Sequence, residues 1–433
     1  MIRLGHIIVG VAVLVSLCDS ASGAERFPPP EFESGYEIPS PTVPNPRQTT
    51  YEYIDAVVLL VALGLSSYLV LRKRSRRAIF VLMVLSLAYF GFWRKGCVCP
   101  IGAIQNVTLS LFDRDYVVPI VVAVFFVLPL AFTLFFGRVF CAAVCPLGAM
   151  QDLVLLRPMS LPNWLESGLR LIAYVYLAAA VLFAATGSAF VICRYDPFVG
   201  FFRLSGNFNI LVLGACFLVI GMFIGRPYCR FVCPYGVILR QLSRISKWKV
   251  AITPDECVQC RLCEDSCPFG AIREPTADWP AHYYEKSKKR LALLIILLPI
   301  LVLLCGWMGS GLEPVTSRMH ATVRLAERIY LEDTGKAEGT TDASAAFRAT
   351  GEETEALYAR ASNIRDKFGL GGWLFGGFVG LMIGLKLLGV SVMRRRLDYE
   401  ADRASCVACG RCFEYCPKEH ARLKAMKEVT GKT

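Results

Sequence analysis

The chain has 433 residues, is 55% apolar and only 19% charged, and carries a net charge of +12 with 18 cysteines. With a mean hydropathy of +0.48, it is too apolar for an ordinary soluble globular protein. The excess of Lys and Arg gathers at the ends of apolar runs, which argues for a membrane topology signal and against a nucleic-acid partner.

In chain order, Arg3, the apolar stretch 7–17 and Ser22-Gly23-Ala24 read as a secretory signal peptide over 1–24, with Cys18 discarded alongside it. A Pro-rich polar tail follows over 25–50. Seven apolar runs come next, at 54–71, 78–93, 117–136, 171–192, 208–224, 291–309 and 370–392. Several are near the lower length limit for crossing about 30 Å of hydrocarbon. Basic segments at Arg72–Arg77, 226–249, 286–290 and 394–396 fall on alternate sides of these runs, and the positive-inside rule puts all four in the cytoplasm. The tail is then outside, the C-terminus is cytoplasmic, and membrane lipid is the first partner. The expected location is a bacterial cytoplasmic membrane.

The chain repeats itself. The segment 136–148 (FGRVFCAAVCPLG) aligns without gaps to 224–236 (IGRPYCRFVCPYG), 88 residues later. Each copy follows a run directed from outside to inside, which is a parallel duplication with its pseudo-two-fold axis along the membrane normal. A partial third echo, CVCPIGAIQN at 97–106, shares Cys-Pro-x-Gly-Ala with 145–149.

The strongest chemical signal is CVQCRLCEDSCP at 257–268, a C-x2-C-x2-C-x3-C-P run. Three close thiolates wrap one 4Fe-4S cubane and the fourth reaches a neighbouring cluster. A second copy, CVACGRCFEYCP, occupies 406–417. By the ferredoxin rule, Cys257, Cys260, Cys263 and Cys416 hold one cluster, and Cys406, Cys409, Cys412 and Cys267 the other. Zinc would need neither the third spacing nor the proline. The last cysteine of one copy and the first of the next are separated by 138 residues that include two apolar runs.

The fold class is therefore mainly α: an internally duplicated transmembrane bundle (51–249) with a small α+β two-cluster ferredoxin-like cytoplasmic domain. That domain is split into halves at 250–285 and 397–433 by a transmembrane hairpin (286–396) with an exported loop at 310–368.

Two further cysteine sets are weaker signals. Cys141, Cys145, Cys229 and Cys233 come two from each copy and share the cytoplasmic side. They suit a third iron–sulfur centre, with a zinc ion, a dithiol–disulfide pair or plain packing as alternatives. Cys97, Cys99 and Cys193 lie at the outer end, with Cys305 as candidate fourth ligand; a redox cofactor or a disulfide would each suit that side. Cys216 reads as core. Arg138 and Arg226 read as markers of the cytoplasmic interface rather than as partners of an anionic cluster.

These motifs, with GCVCPIGAIQN, CRYDPFVGFF and DYEADRASCVACGRCFEYCP, resemble the NosR/NapH-type membrane iron–sulfur proteins, the polyferredoxin electron-transfer subunits, over about residues 51–420. The resemblance implies electron movement between the cytoplasmic membrane and exported reductases. NosR-type members usually carry an exported FMN domain with the flavin on a threonine; neither ATGSA (185–189) nor ATGEET (349–354) supplies that pattern. FMN is thus expected only through a partner.

The function read from the chain is single-electron transfer through two 4Fe-4S clusters and one or two further iron–sulfur centres. It would link a cytoplasmic donor or acceptor, such as a ferredoxin, to an exported flavin or reductase partner. Alternatives are a quinol dehydrogenase subunit and a redox-sensing or maturation factor. No catalytic residue is marked.

Overall fold

Seven apolar helices stand at the seven runs. In the computed structural model, which describes residues 48–96, 99–159, 161–252, 257–276, 281–392 and 396–430, five are long and apolar enough to cross a membrane: Thr49–Lys73, Arg76–Trp93, Trp164–Ala185, Glu285–Ser310 and Thr354–Ser391. Two apolar helices are shorter, Ile120–Phe136 and Phe208–Gly221. At 1.5 Å per residue they reach only about 25 Å and 21 Å, below the thickness of a hydrocarbon core. The signal peptide and nearly all of the Pro-rich tail lie outside the described residues; helix begins at Thr49.

Several runs differ from their expected bounds, the fourth and the seventh most of all. The fourth stops at Ala185, where Thr186 caps the helix and Gly187 takes a left-handed φ of +67°; Ile192 belongs to the separate turn Val191–Arg194. The last helix starts at Thr354, well before residue 370, so it passes from the membrane run into the loop ahead of it.

That helix packs along Glu285–Ser310 through a stripe of glycines at Gly372, Gly376, Gly380 and Gly384. A Cβ on Gly376 would stand 2.0 Å from the Cys305 carbonyl oxygen, and one on Gly372 2.5 Å from that of Gly309. Small residues at four-residue spacing allow two backbones this near approach. Beyond the hairpin, helices Ala321–Asp333 and Asp342–Ala349 and the start of Thr354–Ser391 enclose a core of their own, built from Val323, Ala326, Ile329, Phe347, Leu357 and Ala361.

At the opposite end, the two cysteine-rich segments meet. Strand β1 (Ile272–Arg273) pairs antiparallel with β2 (Glu400–Ala401), Ile272 opposite Ala401 and Arg273 opposite Glu400. The amide of Asp402 extends the ladder to the Ala271 carbonyl at 2.7 Å. This end is fastened to the bundle by the basic segment after the first helix. Arg74 donates to the carbonyls of Ala251 and Ile252, pairs with Glu419 at 2.7 Å and stacks over Phe413 at 3.9 Å. Arg76 bonds the Cys409 carbonyl at 3.1 Å and Asp152 at 2.9 Å. Ala408 and Phe413 are consequently buried in the same core as the bundle residues Leu63, Met83 and Tyr235.

Candidate iron–sulfur sites

Each ferredoxin run is coiled by residues in the left-handed region at matching positions: Gln259 (φ 51°) and Arg261 (64°) in one, Ala408 (56°) and Gly410 (77°) in the other. A non-glycine residue there costs about 1–3 kcal/mol and persists only where its surroundings demand it. The coil turns backbone N–H groups toward the sulfurs, as in Ala408 N donating to Cys406 Sγ at 3.4 Å, the nest geometry that holds anions.

The structure gathers these cysteines around two cavities. Cys257, Cys260, Cys263 and Cys416 line one, beside Ile252 and Tyr399. Cys267, Cys406, Cys409 and Cys412 line the other, beside Phe269, Ile272 and Val407. Each cavity takes three cysteines from one half and the last cysteine of the other. Among the described residues, no three Cys, His, Asp or Glu side chains converge as a single metal ion requires. Sulfurs spaced around a cavity suit a multi-iron cluster instead. Burial pushes the Cys263 thiol up to about 11 and the Cys406 thiol up to about 12. Free, these sulfurs hold their protons; they become thiolates against a cationic iron centre.

The repeat builds a different arrangement. Cys99, Cys145 and Cys233 each occupy the N-cap of a helix that opens on proline: Pro100–Phe112, Pro146–Leu153 and Pro234–Arg244. Proline fits the first helical position because no amide partner is needed there, and the free N–H groups favour a negative sulfur. Gly236 N donates to Cys233 Sγ at 3.3 Å. The third residue of each helix is glycine, and in each case a Cβ would crowd the matching cysteine or its neighbour. At Gly102 it would meet Cys193 Sγ at 3.2 Å, at Gly148 Arg226 Nη1 at 3.1 Å, and at Gly236 the Cys229 carbonyl at 3.2 Å.

The four repeat cysteines form two layers. Cys145 and Cys233 are buried in the bundle core. Cys141, carried on the π-helical turn Phe140–Val144, and Cys229 line a small cavity that Phe269, Ser405 and Val407 close from the ferredoxin end. Cys145 and Cys229 are within hydrogen-bonding reach of each other. Cys141 also shares an apolar cluster with Cys267 and Cys406, so the inner layer abuts the second ferredoxin cavity.

Arg138 and Arg226 do not mark an interface; both are buried. With Arg170, Arg230 and Arg240 they line the cavity of Cys141 and Cys229. Arg138 Nη2 lies 3.6 Å from Cys141 Sγ, and Arg226 donates to the Cys141 carbonyl and lies 5.5 Å from the Phe269 ring. The counter-charges are few. Glu166 is shared by Arg170 and Arg230, and Asp152 by Arg226, Arg76 and Arg411. Burial alone would push the Asp152 carboxyl up; the charges of Arg226, Arg76 and Arg411 outweigh it and hold it below the usual carboxylate range. The Nε–H groups of Arg138, Arg170, Arg226 and Arg240 are buried without an acceptor among the described residues. An anionic sulfide-bearing cluster would supply both the charge and the acceptors that this cage lacks.

At the far end, Cys99 and Cys193 line one cavity of about 330 Å³ with Glu52, Asp55, Asp196, Arg94 and Arg203. Cys97 lies outside the described residues. Cys305 is not at this cavity: it packs in the glycine stripe of the hairpin, 3.2 Å by its sulfur from a Cβ at Gly380, because close helix approach draws it into that interface. Cys216 is half-buried on Phe208–Gly221. Cys99 packs against the same apolar core that buries Cys145 and Cys233, so the outer and repeat cysteines share one core.

Two glutamines were missed in the sequence. Gln151 accepts from Tyr228 N at 3.0 Å and donates to Cys229 Sγ at 3.3 Å. Gln105 accepts from Ile192 N and Cys193 N at 3.1 and 3.3 Å. Each stands six residues after its N-cap cysteine and holds the chain at a partner cysteine. Their signal is visible in CPIGAIQ and CPLGAMQ.

Residues 117–162 match the family model of a 4Fe-4S binding domain, and 225–271 that of a 4Fe-4S dicluster domain. The first covers Cys141 and Cys145 and neither ferredoxin run; the second covers Cys229, Cys233 and the run at 257–267. The uncharacterized protein MJ0750 of Methanocaldococcus jannaschii is 30% identical over 204 residues, 46% of this chain and 82% of that protein. The chain belongs to the MJ0750 family. Within that family it is an iron–sulfur protein, by both domain matches. It is also similar to YccM of Escherichia coli, a candidate electron transport protein, at 28% identity over 122 residues, 26% of this chain and 34% of YccM. A selenate reductase component from Mesobacillus selenatarsenatis is 37% identical over 62 residues, 14% of this chain and 19% of that protein. The chain thus spans about a third of YccM and a fifth of the selenate reductase component. No solved structure matches the chain.

Proposed function

We propose that the protein carries single electrons across a bacterial cytoplasmic membrane through a succession of iron–sulfur centres. The observation that carries this reading is the continuity of cysteine neighbours. They run from the two ferredoxin cavities, through Cys141 and Cys229 and then Cys145 and Cys233, to Cys99 and Cys193. In this reading the split ferredoxin halves form one cytoplasmic domain holding two 4Fe-4S clusters, with Cys257, Cys260, Cys263 and Cys416 on one and Cys406, Cys409, Cys412 and Cys267 on the other. The repeat cysteines hold a further centre, and the outer cavity is the exit or entry point. The candidate electron-transport assignment of YccM and the reductase name of the selenate relative support it. So does the resemblance to NosR/NapH-type proteins. The exported partner would be a reductase or flavin protein, and the cytoplasmic partner a ferredoxin-like donor or acceptor.

The test is iron and sulfide quantitation with EPR on purified protein, comparing wild type with Cys141→Ser and Cys99→Ser. Two cubanes alone correspond to about eight iron atoms per chain; a larger count that falls in these variants is the expected result. A count of eight that neither variant changes confines the cofactors to the ferredoxin end and defeats the transmembrane path.

Acid should release the clusters. The free thiols of Cys263 and Cys406 titrate at about 11 and 12, so at neutral pH and below a proton competes with iron at each sulfur. Apparent affinity then falls by up to about tenfold per ligand thiol for each pH unit lowered. Iron release to a chelator, followed as pH is stepped down, should accelerate monotonically.

A further inference from the structure

A cavity of about 990 Å³ lies where helices Asn163–Ala185 and Pro234–Arg244 and the end of Thr354–Ser391 meet strand β2. It is the size of a small-ligand site, yet no cysteine lines it. Its walls are of two kinds. Tyr174, Phe378 and Leu385 form an apolar wall, the first two with ring centroids 6.5 Å apart. The lining also carries eight Lys or Arg side chains against two Asp or Glu.

Three of those cations, Arg170, Arg240 and Lys386, are poorly compensated. Lys386 donates to the Ser167 carbonyl and Arg240 to the Arg230 carbonyl at 3.0 Å. Both acceptors are dipoles rather than counter-charges. Arg170 meets Glu166 but shares it with Arg230. Arg240 is 6% exposed. Burial, with Arg138 and Arg170 alongside, pushes the Arg240 guanidinium below its usual range. Such a site is incomplete without an anion. A neutral quinone offers two carbonyl acceptors and no charge, so it leaves the excess in place.

We propose that this cavity binds an anionic phospholipid of the cytoplasmic leaflet, its phosphate among Arg170, Arg240 and Lys386 and its acyl chains against Tyr174, Phe378 and Leu385. Basic pockets between helices on the cytoplasmic side bind such headgroups. The proposal rests on the reading that the chain spans a membrane. Because Asp402 and Arg403 also line the cavity, the lipid would brace the second ferredoxin half against the bundle.

The full chain, purified in detergent with its iron, is delipidated and titrated with phosphatidylglycerol, phosphatidylcholine, inorganic phosphate and decylubiquinone, bound lipid being counted by native mass spectrometry. Phosphatidylglycerol should bind one per chain. Lys386→Gln should weaken it about fivefold, the effect of one charge near the membrane surface, while Lys386→Arg restores it. Iron content should be unchanged in both, which separates a lost lipid site from misfolding and from failure of the electron-transfer reading. Equal binding of phosphatidylcholine, full competition by inorganic phosphate, displacement by decylubiquinone or no effect of Lys386→Gln each overturns the proposal.

Discussion

The cavity of Cys141 and Cys229 and the cavity of Cys99 and Cys193 are built from one motif and surrounded by opposite charge. Behind the first, Cys145 N-caps a helix that opens on Pro-x-Gly, as Cys99 does at the second, and in each a glutamine six residues on grips the backbone at a partner cysteine. Five arginines line the first. The second holds Glu52, Asp55 and Asp196 against Arg94 and Arg203, with Asp55 paired to Arg94 at 2.6 Å. An iron–sulfur centre gains negative charge on reduction, so if the proposed centres are held here, the arginine cage would favour the reduced form and the acidic cavity would oppose it. Repeating a motif reproduces ligand geometry; the neighbours around it decide potential.

The largest break in this comparison comes from the ligands themselves. Cys229→Ser removes a sulfur that touches Cys145 and lines the arginine cage. It should abolish electron passage between the two ends of the molecule while leaving the EPR signals of both ferredoxin clusters. Cys193→Ser should spare every signal except that of the proposed outer centre. Loss of the ferredoxin signals in Cys229→Ser would mean that the repeat is structural support only.

Charge substitutions sharpen the contrast. Arg138→Gln takes a buried positive charge from beside Cys141 Sγ and should lower the potential of the inner centre by about 50–100 mV, the scale of one charge at an effective dielectric near 20. Asp196→Asn should shift the outer centre the other way and by less, because Asp196 already accepts from the amides of Phe198 and Val199. Redox titration followed by EPR reads both signs, and shifts of equal sign would defeat the electrostatic explanation.

Packing changes come next. Gly148→Ala presses a methyl on Arg226 Nη1 and Gly102→Ala one on Cys193 Sγ. Overpacking of this kind costs about 1–3 kcal/mol, and the inner variant should lose more because Arg226 is held by Asp152 and the Cys141 carbonyl. Thermal unfolding compares the two. An effect of similar size is expected at the glutamines. Gln151→Leu, which loses bonds to Leu147, Cys229 and Tyr228, should destabilise by about 1–3 kcal/mol. Gln105→Leu should cost less, since its Nε2 has no partner among the described residues to lose. Chemical denaturation of the two variants checks the order.

Much of this molecule is legible locally. The ferredoxin runs announce themselves by spacing, because a cubane dictates where thiolates stand along a short coil. The apolar runs announce helices, because no other open structure satisfies its backbone in lipid. The 88-residue echo exposes paired cysteines. Other features are invisible at that range. Arg138 and Arg226 sit beside apolar runs, where arginine usually marks the membrane edge; in the fold both are buried, sharing a cavity with Phe269, Ser405 and Val407. Cys305 falls at the right depth for the outer cavity, but the glycine stripe of a helix about 70 residues away claims it.

By itself, then, the order of residues determined which segments are apolar helices, which cysteines belong to cluster-binding runs and which helices begin on a cysteine, since each follows from spacing within a few turns of chain. Tertiary structure alone decided which cysteines of the repeat face one another, and where the arginines and carboxylates fall around them. Those outcomes depend on side chains far apart in the chain meeting in a buried volume, where an unpaired charge is too costly to leave and one helix can approach another only where it presents no side chain.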